Sequence, residues 1–246
     1  MSKMESMGIR RLVISMSVPI ALSMLVSALY NIVDSIFVAG YSQDALLAVS
    51  LCYPVQTLMI AVACGTGVGF NTLLARYLGQ NNGKMADQSV MHGLLLALLN
   101  WLVFALAGWF GAKAFMQSFA GDQAVIASGV SYIRICTLFS FGIFVQITFE
   151  RIMQAAGRPM YNMAIQCIGA LVNIILDPIL IFGLLHFPAL GVAGAAIATV
   201  IGQIIAMGIG IYITHRKVPE VHMDIRNFAL DTTMLKEIYK VGVPAM

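Results

Sequence analysis

The chain has 246 residues, 60% of them hydrophobic and only 10% charged, whereas a soluble domain carries about 25% charged residues. Too few charges are available to coat a water-facing surface, which excludes an ordinary one- or two-domain soluble protein. The net charge of +3 is small, gives no sign of a nucleic-acid partner, and matters less for its size than for where it sits.

At the amino end Lys3, Arg10 and Arg11 precede an uncharged run from Leu12 to Val33. A secretory signal has a shorter apolar core, about 7–15 residues, and a small-residue cleavage site; neither is present, so the run reads as a retained first helix. A spanning helix needs about 20 apolar residues, and six spans are predicted at 12–39, 46–72, 88–110, 124–149, 159–184 and 191–214. Turn chemistry separates them. Gly40-Tyr41-Ser42-Gln43-Asp44 divides the first pair, Gly79 to Lys84 the second and third, Gly121-Asp122 opens the fourth, and Gly157-Arg158-Pro159 opens the fifth. Proline suits the first turn of a helix, where its missing N–H removes no hydrogen bond. His186-Phe187-Pro188 interrupts the uncharged stretch between Pro178 and Thr214. The four cysteines, Cys52, Cys64, Cys136 and Cys167, all lie in apolar stretches without a C-x-x-C pair and read as small packing residues, so no metal centre or disulfide framework follows.

Twelve of the 14 basic residues fall on one side of this arrangement. They precede span one, follow spans two and four (Arg76, Lys84, Arg151, Arg158), or follow span six (Arg216, Lys217, Arg226, Lys236, Lys240). Lys113 alone lies opposite, and Arg134 falls within span four, where it would pair with an acid or snorkel outward. By the positive-inside rule both ends face the cytoplasm, and the expected location is the cell membrane as a multi-pass protein in the lipid bilayer.

The expected division is a six-helix lobe over 1–214, a cytoplasmic linker over 215–237 and the start of a seventh helix over 238–246. Lys236 to Pro244 reads KEIYKVGVP and Arg11 to Pro19 reads RLVISMSVP, a short match that fits the beginning of a second copy, cut off. Two copies with even numbers of spans share one orientation, as in transporters built from parallel repeats.

Acids inside a membrane are costly and usually functional. Asp34 sits late in span one and Asp177 late in span five, both running outward, so they share a depth and could share a cavity. Asn173 lies one turn before Asp177, while Tyr30 and Asn31 lie four and three residues before Asp34, which puts each on the same helix face as its acid. A carboxylate removed from water can exchange a proton as access alternates between the two sides. With amide and hydroxyl oxygens it could equally ligate Na⁺ at Asp34, Asn173 and Asp177. Pro19 is expected to bend span one. Asn71, Asn100 and Asn162 lie near span ends and read as interfacial. The sixteen methionines read as ordinary packing more than as a pocket lining.

Four segments carry a family resemblance: VPIALSMLVSALYNIVDSIFVAG in span one, QAAGRPMYNMAIQCIGALVNIILDPILIFG at span five, GVAGAAIATVIGQ in span six and the loop LLARYLGQNNGK. Together they resemble the amino-terminal half of a multidrug and toxic compound extrusion (MATE) transporter, in the branch with the DinF-like and MepA-like proteins. The resemblance implies an all-α integral membrane fold, one six-helix lobe of a twelve-helix, two-lobe machine. It implies antiport in which H⁺ or Na⁺ enters while a small organic, often cationic, drug leaves. No other cofactor is implied. It places Asp34, Asn173 and Asp177 in the cation site, with Thr199 as a further oxygen ligand. It also makes Tyr30 a lining residue and Pro19 the bending proline. Family members have twelve helices, so the second lobe is expected to be missing here.

Three alternatives remain in view. A lipid-linked precursor flippase of the same superfamily would line its cavity with several basic residues, and only Arg134 is available. A membrane aspartyl protease needs G-x-G-D, whereas the acids here stand in IVDS and ILDP; the chain does not read as an enzyme. A non-transporting fragment, or a half that pairs with another chain, is the third.

Overall fold

A computed structural model describes residues 9–221 and 228–246 of the chain. The described residues form α1 (Ile9–Tyr41), α2 (Gln43–Gly79), α3 (Gly83–Phe119), α4 (Gln123–Leu138), α5 (Phe141–Ala155), α6 (Pro159–Phe182), α7 (Val192–Lys217) and α8 (Thr232–Gly242), then a 3₁₀ turn at Val243–Ala245. Among the described residues five helices are long and apolar enough to cross a membrane, and α4 with α5, bent by 45° at their junction, bring the number to six when taken together as one broken span. The chain is a multi-pass α-helical membrane protein.

The expected fourth span, 124–149, is therefore two helices and not one. The cause lies in the sequence TLFSFG. Thr137 Oγ1 donates to the Ile133 carbonyl at 2.7 Å and Ser140 Oγ to the Thr137 carbonyl at 2.7 Å. The Ser140 and Gly142 amides bond three residues back, to Thr137 and Phe139. Hydroxyls that capture nearby carbonyls compete with the helical ladder, and the helix turns there.

The second and third helices are also longer than expected, 37 residues each, or about 55 Å at 1.5 Å per residue. That exceeds the roughly 30 Å hydrocarbon layer, so their joined ends project beyond it. The connection shrinks to Gln80–Asn82, with Asn81 at φ 54° and the Asn82 side chain capping α3 through the Met85 amide at 3.3 Å.

This projecting end gathers the basic residues. The Asn71 side chain donates to the Arg151 carbonyl at 2.7 Å, and Arg158 pairs with Glu220 at 2.8 Å. Helix α8 lies against α2, where Gly69 touches the Ile238 carbonyl and Gly65 approaches Gly242. The Asp231 amide donates to His92 Nε2 at 2.9 Å. Lys3 and Arg226 lie outside the described residues. Helix α8 begins at Thr232, inside the stretch expected to be linker, because Asp231 caps it and accepts from the Thr233 and Met234 amides at 2.8 and 3.4 Å. Those amide bonds, Thr233's first, hold the exposed Asp231 carboxyl below its ordinary range. A depressed folded-state value means this contribution is present at neutral pH and is lost as pH falls through it. Asp231→Ala should speed amide hydrogen exchange in the first turn of α8 at neutral pH, and the difference from the native chain should shrink in acid.

In the membrane region α6 is flanked by α1 and α7. Without a hydrophobic force to join helices in lipid, small residues allow the close approach. A Cβ on Gly202 would stand 2.8 Å from the Gly169 carbonyl oxygen, so the α6 and α7 backbones nearly touch. Helix α1 is the least covered span: Met24, Leu25, Leu29, Ile32 and Ile36 are all exposed, an apolar face suited to lipid or to protein. Pro19 is buried within α1, which stays helical through it.

Candidate cation and substrate site

Helices α1, α6 and α7 converge on the two acids. Asp177 is fully buried and Asp34 nearly so. Their carboxyl groups lie near enough to interact with each other. Asn173, one turn below Asp177 on α6, donates through Nδ2 to Asp177 Oδ1 and to Thr199 Oγ1, each at 3.3 Å. One amide thus ties α6 to α7 beside the acid pair.

The electrostatics of this cluster are one-sided. Two ionised carboxylates cannot donate to each other, and Asp34 Oδ1, Asp177 Oδ2 and Asn173 Oδ1 are buried without a hydrogen-bond partner among the described residues. Buried acceptors without donors are expensive. A proton between the carboxylates would satisfy the two carboxylate oxygens, and a hard cation among the four side chains would satisfy all three, since Na⁺ like other hard cations takes carboxylate, carbonyl and hydroxyl oxygens.

Tyr30 and Asp34 line a cavity of about 180 Å³ with Tyr132 and Gln56, whose Nε2 donates to the Tyr132 hydroxyl at 2.9 Å. Asn31 lines the same cavity, but its amide donates to the Ser27 carbonyl of its own helix at 2.9 Å and does not reach the acids. Pro19 lies fifteen residues before Asp34, about 22 Å along the helix.

Sequence reading missed a third intramembrane acid. Glu150, placed just beyond the expected end of span four, is 5% exposed within α5. Its Oε1 accepts from Gln146 Nε2 at 2.9 Å and its Oε2 from Gln166 Nε2 at 3.2 Å. The signal was there. Gln146 and Glu150 share a helix face at i, i+4, and Asn162, Gln166, Asn173 and Asp177 form a polar stripe at one face of α6. Asn162 is not interfacial, as its place near a span end suggests, but buried. It lines, with Glu150, Gln166 and Asn173, a cavity of about 240 Å³. Tyr30, Thr199 and Gln203 line both cavities, which therefore adjoin. Asn71 and Asn100 are half-buried and bonded across helices, Asn100 to Thr66 Oγ1 at 3.4 Å. Arg134 pairs with no acid among the described residues; its guanidinium lies over the Trp109 ring, 5.2 Å from the centroid, a cation–π contact.

A family profile described as MatE matches residues 19–179. The chain is 25% identical over 236 residues to the FAD transporter of Shewanella oneidensis, covering 95% of this chain and 52% of that protein. It is 29% identical over 240 residues to the multidrug export protein MepA of Staphylococcus aureus, covering 93% and 50%. An outward-facing structure of a multidrug resistance MATE family transporter of the MOP superfamily superposes with a TM-score of 0.87 at 29% identity, covering 95% of this chain and 51% of that one. The chain spans about half the length of the curated relatives it matches.

Proposed function

The chain belongs to the MatE family, and from that premise we propose that it is one lobe of an exporter that moves small organic molecules out across the cytoplasmic membrane in exchange for H⁺ or Na⁺. The observation that carries this reading is the cluster of Asp34, Asn173, Asp177 and Thr199, with its three partnerless buried oxygens. Entry of a cation from outside replaces mutual repulsion of the carboxylates with attraction to a shared ion. That changes the local charge by one unit and biases the packing of α1 against α6, the bistable element such a switch requires. The membrane field contributes about 2.3 kcal/mol per charge per 100 mV, which drives the organic molecule uphill. Asn173 couples the event to α7 through Thr199. Pro19, buried low on α1, is where that helix has one ladder bond fewer and bends most readily.

A flippase for a pyrophosphate-linked lipid is disfavoured, since Arg151 in the larger cavity adjoins Glu150 and Arg134 is taken up by Trp109. The deciding experiment is dye efflux from vesicles carrying the full-length protein, with pH and Na⁺ gradients imposed separately. Efflux under neither gradient overturns the antiport reading. The distribution of basic residues supports a cytoplasmic position for both ends of the chain. Lys84→Cys, exposed at the α2–α3 tip, should then be labelled by an impermeant maleimide only after the cell is opened. Lys113→Cys, exposed on the far end of α3, should be labelled on intact cells.

A further inference from the structure

The larger cavity ends in a second polar centre, about 16 Å from Asp177 along α6, taking Gln166 as its marker and 1.5 Å per residue. It lies toward the basic, projecting end of the lobe and is separate from the Asp34–Asp177 pair. Its make-up differs from that pair. Glu150 is a buried carboxylate held by two neutral amides, which fix its orientation but do not neutralise it. The next residue, Arg151, lines the same cavity; its Nη1 donates to Gln154 Oε1 at 2.8 Å, and its buried Nε has no acceptor among the described residues. Asn162, 2% exposed, brings a partnerless Oδ1 to the same space. The centre therefore holds opposite charges on successive residues, and a partnerless donor and a partnerless acceptor belong to side chains that line the same cavity.

A lipophilic cation would gain from Glu150 but meet Arg151, and it would leave the amide oxygen of Asn162 and the Arg151 Nε unpaired. Buried polar groups built to hydrogen-bond discriminate strongly against ligands that cannot answer them. We propose that this end of the cavity is a recognition site for an uncharged polar group that presents a hydrogen-bond donor beside an acceptor, as the edge of an amide, urea or imide does. Glu150 and Asn162 receive its N–H and Arg151 donates to its carbonyl. The proposal rests on the exporter reading and names the substrate class that reading leaves open.

The test uses the purified full-length protein and two probes. Riboflavin is a neutral ring with an imide edge, followed by its own fluorescence; tetraphenylphosphonium is a permanent cation without hydrogen-bonding groups. Asn162→Leu removes an oxygen that bonds nothing among the described residues. It should weaken riboflavin binding about tenfold more than tetraphenylphosphonium binding, the size of one buried hydrogen bond. Arg151→Met removes the donor and its positive charge and should shift the preference between the probes the same way. Riboflavin that does not bind the native protein, or variants that weaken both probes equally, would overturn the proposal. A larger loss of tetraphenylphosphonium would do so too, marking a plain cation site. Riboflavin bound as expected with no gradient-driven efflux of either probe would sink the exporter reading and leave the recognition site standing.

Discussion

Asp34→Asn and Asp177→Asn should each reduce gradient-driven efflux to background while leaving the protein folded. Asparagine keeps the size and one oxygen of the carboxylate but takes up neither a proton nor the full attraction of a cation. The two acids interact across the α1–α6 contact, and Asn173 donates to Asp177, so the acids form one unit and their losses should not add. The double variant should be no worse than either single one. Stability should move the other way. With one carboxylate neutral the pair no longer repels, and each variant should melt at or above the native temperature in cation-free buffer. If the coupling ion is Na⁺, added NaCl should raise the native melting temperature, as any ligand of the folded state does, and should not raise that of Asp177→Asn. Normal export by both single variants would remove the two acids from the mechanism.

Much of this site was legible from residue spacing alone. Asp34 and Asp177 stand out because uncharged runs surround them, and helix rise gives them a common depth. Asn173 follows from i, i+4. Other parts were not legible, for physical reasons. Glu150 sits where hydropathy fades, so a count of apolar residues assigns it to a loop, whereas α5, which follows a 45° bend, carries on past it and buries it. That bend depends on Thr137 and Ser140 hydroxyls, which a hydropathy average treats as tolerable interruptions. Asn162 is misread for a related reason: position near a span end does not say which face a residue occupies, whereas its place in the α6 stripe does. The lengths of α2 and α3 escaped because their projecting ends are polar and helical at once, and a span search stops where the apolar residues do. Asn31 shows the opposite failure. Spacing put it beside Asp34, but a side chain that can bond its own helix does so, and it turns to Ser27.

Gly202→Val should uncouple the site through packing alone. The added atoms would meet the Gly169 carbonyl, already 2.8 Å from the first of them, and would crowd the Asn173 backbone and Cβ. Neither obstacle is a flexible side-chain tip, so α7 must move away from α6. Overpacking of this kind costs about 1–3 kcal/mol, enough to lower the melting temperature measurably without preventing assembly. The larger effect is local. Gly202 lies one turn beyond Thr199, and Gly169 one turn before Asn173, so the separation falls directly on the Asn173–Thr199 bond of 3.3 Å. Once that bond opens, an ion arriving at the acids no longer pulls on α7. Efflux should fall at least about tenfold, by the loss of one positioned hydrogen bond, while Asp34 and Asp177 themselves remain in place. A direct measure is a disulfide between cysteines introduced at positions 173 and 199. It should form readily while Gly202 is kept and poorly once Gly202→Val is added. Efflux that survives the valine with the cross-link lost would show that α7 is not in the coupling path, and would confine the switch to α1 and α6.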